Sequence, residues 1–221
     1  MTAMHESAAR YRGLILDLDG TLVDSHAYTF AAFRHACAPY RAAPDDAEIY
    51  ATFGPDEAVI LAALVGPTHA GAAYERLQRR YAERVHEVRI QARLLAIVRA
   101  CHAAAIPCGL FTGRGRSATH LILETFGLAK DFVAVFAGDD GPPKPAPDGI
   151  HRLAAAMHVA VRDVLVVGDS RLDVAAAAAA GAGSRLATWY ARGVTRTDSD
   201  APRIHQPDEL LALLGLPAVD T

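Results

Sequence analysis

Lysine is almost absent from this 221-residue chain: of its 22 basic residues only Lys130 and Lys144 are lysines, and the rest are arginines. Against 25 acidic residues the formal net charge is -3. That balance leaves no electrostatic case for nucleic acid or for an anionic membrane as partner. Cysteine is scarce too. Cys37, Cys101 and Cys108 are widely spaced, with no Cys-x-x-Cys pair, and read as small core residues in a reducing compartment. No run approaches the length of a membrane span. The polar start from Met1 to Arg12 lacks the apolar stretch of a signal peptide. The expectation is a soluble cytoplasmic protein.

What is present is apolar surface in quantity. At 52% hydrophobic, the chain can bury a sizeable core plus one smaller appended unit. Gly13 to Leu16 is a short apolar run without helical period, as in a strand buried on both faces. It delivers two carboxylates, Asp17 and Asp19, into the Gly20-Thr21 turn. Burying an ionised carboxylate costs several kcal/mol unless a cation or hydrogen bonds compensate it. The plainer alternative is a turn dipeptide with Asp17 as its acceptor.

From Ser25, a candidate N-cap, to about residue 88 the pattern is helical throughout. Tyr28, Phe30, Ala31 and Phe33 mark a first helix ending before Pro39, and residues 46–53 a short second one. Pro55 suits the first position of a third, with Asp56 and Glu57 at its positive end and Gly66-Pro67 as its stop. Tyr74, Leu77, Tyr81 and Val85 space a long helix over 69–88. After about Gln91 the texture changes. Helices at 91–105, 117–126, 147–158, 171–180 and 208–214 alternate with strands at 107–111, 132–136, 164–167 and 184–187. The expected fold is α/β, a doubly wound parallel sheet carrying an all-helical insert.

In such sheets the ligand crevice lies beyond the carboxyl ends of the strands. Polar residues at the ends of the apolar strands are Asp17 and Asp19, Thr112, then Asp169 with Asp173. Gathered together they need a cation, and hard oxygen donors favour Mg²⁺. Lys144 is the obvious protein cation, held in a Pro-rich loop that restricts its backbone. Each residue also has a plain structural reading: Thr112 as a turn hydroxyl, Ser170-x-x-Asp173 as a capping box, Lys144 as a solvated loop residue. For all of these to hold at once, in this order and at strand ends, would be a coincidence.

The ordered set Asp17-Leu18-Asp19-Gly20-Thr21, Phe111-Thr112-Gly113-Arg114, Lys144-Pro145-x-Pro147 and Gly168-Asp169-Ser170-Arg171-Leu172-Asp173 resembles the haloacid dehalogenase (HAD) superfamily, most similarly its phosphoglycolate phosphatase-like branch. The resemblance runs from residue 13 to about 190. It implies a Rossmann-like core of residues 1–25 and 89–221, with a helical cap of residues 26–88. It further implies an Mg²⁺-dependent phosphatase of small phosphorylated metabolites. Asp17 would be the nucleophile that forms an aspartyl-phosphate, and Asp19 the acid and base. Mg²⁺ would sit among Asp17, the main-chain carbonyl of Asp19 and Asp169, with Asp173 in support. Gly20, Thr112, Gly113, Arg114 and Lys144 would bind substrate, with Thr112 and Lys144 also serving the chemistry.

An aspartate at 19 argues for phosphate chemistry, since dehalogenases and phosphonate-cleaving relatives look different there. Sugar-phosphate mutases share Asp19 but usually place a histidine where Thr29 stands. A catalytically idle phosphometabolite-binding protein is the reading from another class. Phe53-Gly54-Pro55 resembles the cap turn that reaches over the site in relatives, or is a plain helix start. Arg114 either touches substrate or balances Asp charges at the pocket rim. The histidines, His26 among them, read as surface or hinge residues. Monomer and homodimer are both open.

Overall fold

A computed structural model describes residues 10–190 and 200–219; most of the polar start lies outside the described residues. In chain order the elements are β1 (Gly13–Leu16), α1 (His26–Cys37), α2 (Asp46–Ala51), α3 (Glu57–Val65), α4 (Pro67–Arg84), α5 (Ala92–Ala103), β2 (Cys108–Phe111), α6 (Arg116–Thr125), β3 (Ala134–Phe136), α7 (Asp148–Ala156), β4 (Val164–Gly168), α8 (Arg171–Ala180), β5 (Gly183–Ala187), β6 (Arg203–Ile204) and α9 (Glu209–Leu214). The sheet order is β3-β2-β1-β4-β5-β6, and every neighbouring pair is parallel. The chain winds to one side of β1 first and to the other side later. Winding therefore reverses beside β1, where the carboxyl ends of β1, β2 and β4 leave a crevice.

Burial along β1 shows why it takes the centre. Leu14 and Leu16 belong to one apolar cluster and Ile15 to another, because alternate side chains of a strand point to opposite faces. On the Ile15 face, Phe111, Phe136 and Val166 pack against Ile150 and Leu153 of α7 and Ala176 and Ala177 of α8. On the other face, Leu110, Leu165 and Val167 meet Ile97, Val98 and Cys101 of α5 and Leu210 and Leu214 of α9. Each of the Val, Leu, Ile and Phe side chains among these contributes about 1.5–3 kcal/mol on burial. The cluster of Leu14 and Leu16 continues into the insert through Phe33, Leu61, Leu77 and Tyr81.

The insert is a helical cap. Helices α1 and α3 pack on α4. Where the cap joins the core, Asp24 and Arg89 form an isolated antiparallel bridge: the Asp24 N–H donates to the Arg89 carbonyl (2.8 Å) and the Arg89 N–H to the Asp24 carbonyl (3.2 Å). The two crossings between core and cap are thus tied together. Among the described residues no helix is long and apolar enough to cross a membrane. All three cysteines are buried thiols.

Several local expectations needed correction. Pro55 lies just outside α3. Asp56 is the cap instead, its Oδ1 accepting from the backbone N–H groups of Ala58 (2.8 Å) and Val59 (3.0 Å). Gly66-Pro67 does not simply stop a helix: Gly66 ends α3 at φ 79°, and Pro67 opens α4, as proline at a first helical position can. The long helix therefore begins earlier and finishes in a 3₁₀ turn over Val85–Glu87. The 132–136 strand shortens to β3, and the two-residue β6 is too short to carry a sequence period.

Candidate active site

Asp17 leaves the end of β1, and Asp173 sits in the first turn of α8 after β4. Lys144 lies between them, its Nζ 2.7 Å from Asp17 Oδ1 and 2.5 Å from Asp173 Oδ1. The lysine is 8% exposed, with its ammonium over the Phe111 ring at 4.7 Å. The Lys144 of the Pro-rich loop is thus no solvated loop residue. Asp173 does two things at once. It closes the capping box of α8 with Ser170, and its other oxygen holds Lys144. Burial works against the charge on Lys144, yet Asp17 and Asp173 hold its pKa above the ordinary value.

One ammonium does not balance this group. Asp17, Asp169 and Asp173 each present a carboxylate oxygen, all within 4.8 Å of one another. Burial, then the charge of Asp173, push the Asp17 carboxyl up to about 7 even beside Lys144. Asp169 is raised well above its ordinary range by burial and by Asp17. Three crowded carboxylates made of hard oxygens fit a divalent cation, which restores the ionised forms. Gly20 makes room here: at φ 79° it has no Cβ, and one would collide with the Asp169 carboxylate and the His26 ring. The Gly20 N–H donates to the Val23 carbonyl (2.8 Å).

Asp19 faces away into a second network. Arg114 Nε donates to its Oδ2 (3.0 Å) and Nη2 to its Oδ1 (2.6 Å), and Ser25 Oγ donates to Oδ1 as well. Ser25 occupies the N-cap position of α1, but its side chain makes no cap bond. Arg114 Nη2 also donates to Thr29 Oγ1 of the cap (2.7 Å). The guanidinium lies 4.6 Å from the Tyr81 ring centre and 5.8 Å from that of Tyr28, in reach of cation–π attraction. At 5% exposure Arg114 is no rim residue; it is built into the seam between core and cap.

Thr112 and Gly113, at the end of β2, line the same cavity of about 620 Å³ as Asp17, Asp19, Lys144, Asp169 and Arg114. Thr112 Oγ1 accepts from the Arg114 N–H (3.0 Å), so the turn-hydroxyl reading describes part of its work. The cap turn Phe53-Gly54-Pro55 forms another wall. A Cβ on Gly113 would stand 2.9 Å from the Gly54 carbonyl oxygen, so glycine lets the turn descend onto the site.

Sequence reasoning missed three wall residues. His26 Nε2 lies 3.9 Å from Asp169 Oδ2, and burial lowers its pKa and favours the neutral ring. Glu57 is 3% exposed, and its Oε2 accepts from the Gly115 N–H (2.7 Å). Tyr81, an apolar position in the period of α4, reaches the guanidinium of Arg114. Their signals were a helix start and a helical period, and neither of these reports a neighbour across a domain seam.

The haloacid dehalogenase-like hydrolase family model matches residues 14–186, and the chain belongs to that family. The chain is 37% identical over 123 residues to phosphoglycolate phosphatase of Escherichia coli (strain K12), covering 53% of this chain. That match spans about half of the relative, 48% of its length. Phosphoglycolate phosphatase of Cereibacter sphaeroides (strain ATCC 17025 / ATH 2.4.3) is 34% identical over 179 residues, 76% of this chain and 81% of that protein. Among solved structures, CbbY from Rhodobacter sphaeroides in complex with phosphate has a TM-score of 0.80 at 19% identity, covering 93% of this chain and 100% of that one. It shares the fold.

Proposed function

We propose that this protein is a phosphatase that hydrolyses a small phosphate monoester through an aspartyl-phosphate on Asp17. The observation that carries this reading is the Asp17–Lys144–Asp173 bridge at the ends of β1 and β4, opening on a cavity roofed by the cap turn. An Asp17 carboxylate oxygen attacks phosphorus in line; Asp19, ionised beside Arg114 in the resting site, takes up a proton from solvent as substrate binds and passes it to the departing alkoxide. Asp19, now a base, takes a proton from the water that hydrolyses the aspartyl-phosphate. Thr112 and the Gly113 N–H receive phosphoryl oxygens, and Lys144 steadies nucleophile and transferring group. Asp17, Asp169 and the Asp19 main-chain carbonyl, with Asp173 in support, would hold Mg²⁺. The ion supplies charge that offsets the repulsion between a carboxylate and a phosphate dianion. The core-cap boundaries at 25/26 and 88/89 belong to the same proposal and fall beside the Asp24–Arg89 bridge.

The test is phosphate release from a panel of phosphometabolites, with Mg²⁺ and with chelator, running Asp17→Asn alongside. Metal-dependent release that falls at least about a thousandfold in the variant, with its circular dichroism unchanged, is expected for loss of a nucleophile. Residual activity within tenfold would overturn the assignment.

A further inference from the structure

The cap meets the core where three core glycines leave room for it. A Cβ on Gly113 would crowd the Gly54 carbonyl, one on Gly115 would stand 2.8 Å from Glu57 Oε2, and one on Gly138 3.1 Å from Asp56 Cβ. Within this contact Glu57, the first residue of α3, enters the core. Its Oε2 accepts from the Gly115 N–H at 2.7 Å, and its Oε1 lies 3.8 Å from Arg114 Nη1. Gly115 is the N-cap residue of α6, and the positive end of a helix favours a carboxylate. At 3% exposure, Glu57 is a cap carboxylate withdrawn from water and bonded by the core.

The same contact brings the Phe53-Gly54-Pro55 turn over the cavity that holds Asp17. Lifting that turn draws Glu57 out of the core. With the cap open, water solvates the carboxylate, the Gly115 N–H and the guanidinium separately. With the cap closed they compensate one another, and a side chain without an acceptor leaves the Gly115 N–H buried and unpaired. Truncating Glu57 therefore penalises the closed state alone. The Arg114–Thr29 bond is a second tie across the seam, but Thr29 is neutral, whereas Glu57 carries charge into the core. We propose that Glu57 is the latch of the cap, a positioning residue whose bond to the Gly115 N–H sets the balance between closed and open states. The latch stands on these contacts; its effect on turnover rests on the phosphatase reading.

The test reads the cap's position directly. The three native thiols are buried, so spin labels go on Glu75→Cys in the cap and Lys130→Cys in the core, both exposed positions. Electron spin resonance should give one dominant distance in this labelled parent. Glu57→Ala removes the acceptor, and Gly115→Ala pushes a Cβ against it. Each should raise the population of a second distance at least about tenfold. Combined, they should open the cap no more than about twofold beyond either alone, since both remove one bond. Glu57→Gln keeps an acceptor oxygen for the Gly115 N–H and should restore most of the closed population. An unchanged distance distribution in Glu57→Ala would overturn the latch, even with a lower urea midpoint, because that pairing describes a merely structural residue. Effects that multiply in the double variant would overturn it too. On p-nitrophenyl phosphate, kcat/KM should fall about tenfold in Glu57→Ala and recover in Glu57→Gln. No phosphate release from the parent or any variant would overturn the phosphatase reading instead, and the distances would still decide the latch.

Discussion

Two cations near strand ends solve similar problems in different ways. Lys144 is a point charge between two carboxylates, Asp17 and Asp173, all supplied by the core. Arg114 spreads its charge over a planar fork that reaches Asp19 in the core and Thr29 and Glu57 in the cap. The lysine's compact head leaves Asp17 and Asp169 crowded and short of positive charge. The arginine's geometry fixes an orientation across two domains. One cluster is thus disposed to take up a cation and a phosphoryl group, the other to register where the cap lies.

The sharpest way to break this comparison is Lys144→Met. It removes the ammonium from two buried carboxylates, and activity should fall about a hundred- to a thousandfold, with stability down by about 3 kcal/mol. Steady-state kinetics and urea unfolding check both. Loss of stability without loss of rate would make the lysine a structural tie. A smaller effect tests the shortage of charge itself. Mg²⁺ at about a hundred times its Kd should stabilise the folded protein by about 2.7 kcal/mol, read as a rise in Tm. Asp169→Asn should suppress most of that rise, and an unchanged rise would place the ion elsewhere.

The smallest expected effect concerns Asp19. Burial opposes its charge, but Arg114, through charge and hydrogen bonds, and Ser25 outweigh that and hold its pKa below the usual range. A carboxylate whose pKa drops on folding adds stability that is complete above its unfolded value of about 3.9 and lost as pH falls through the folded value. Urea midpoints measured below about pH 5 should therefore fall more steeply for the wild type than for Asp19→Asn. Parallel slopes would count against Arg114 as the group that holds Asp19 ionised.

The two clusters were unequally legible in the sequence. β1 could be read because a strand buried on both faces is an unbroken apolar run, and the residue after it, Asp17, lies at its carboxyl end. Lys144 stood out by rarity. The Arg114 network could not be read in the same way, because its cap partners sit in helices whose local patterns already account for them. Glu57 looks like a helix-start acid and Tyr81 like one apolar position in a period. Ser25 shows the same limit within a single turn: an N-cap position says where a hydroxyl stands, and the nearby Asp19 decides what it bonds.

The lysine scarcity has a practical consequence. Lys130 is exposed and Lys144 is enclosed, so an amine-directed reagent meets one reactive side chain in the native protein and two once the core opens. Acylation at position 144 then works as a single-residue clock for opening events. Its rate, followed by mass spectrometry, times how often the pocket breathes without any engineered label.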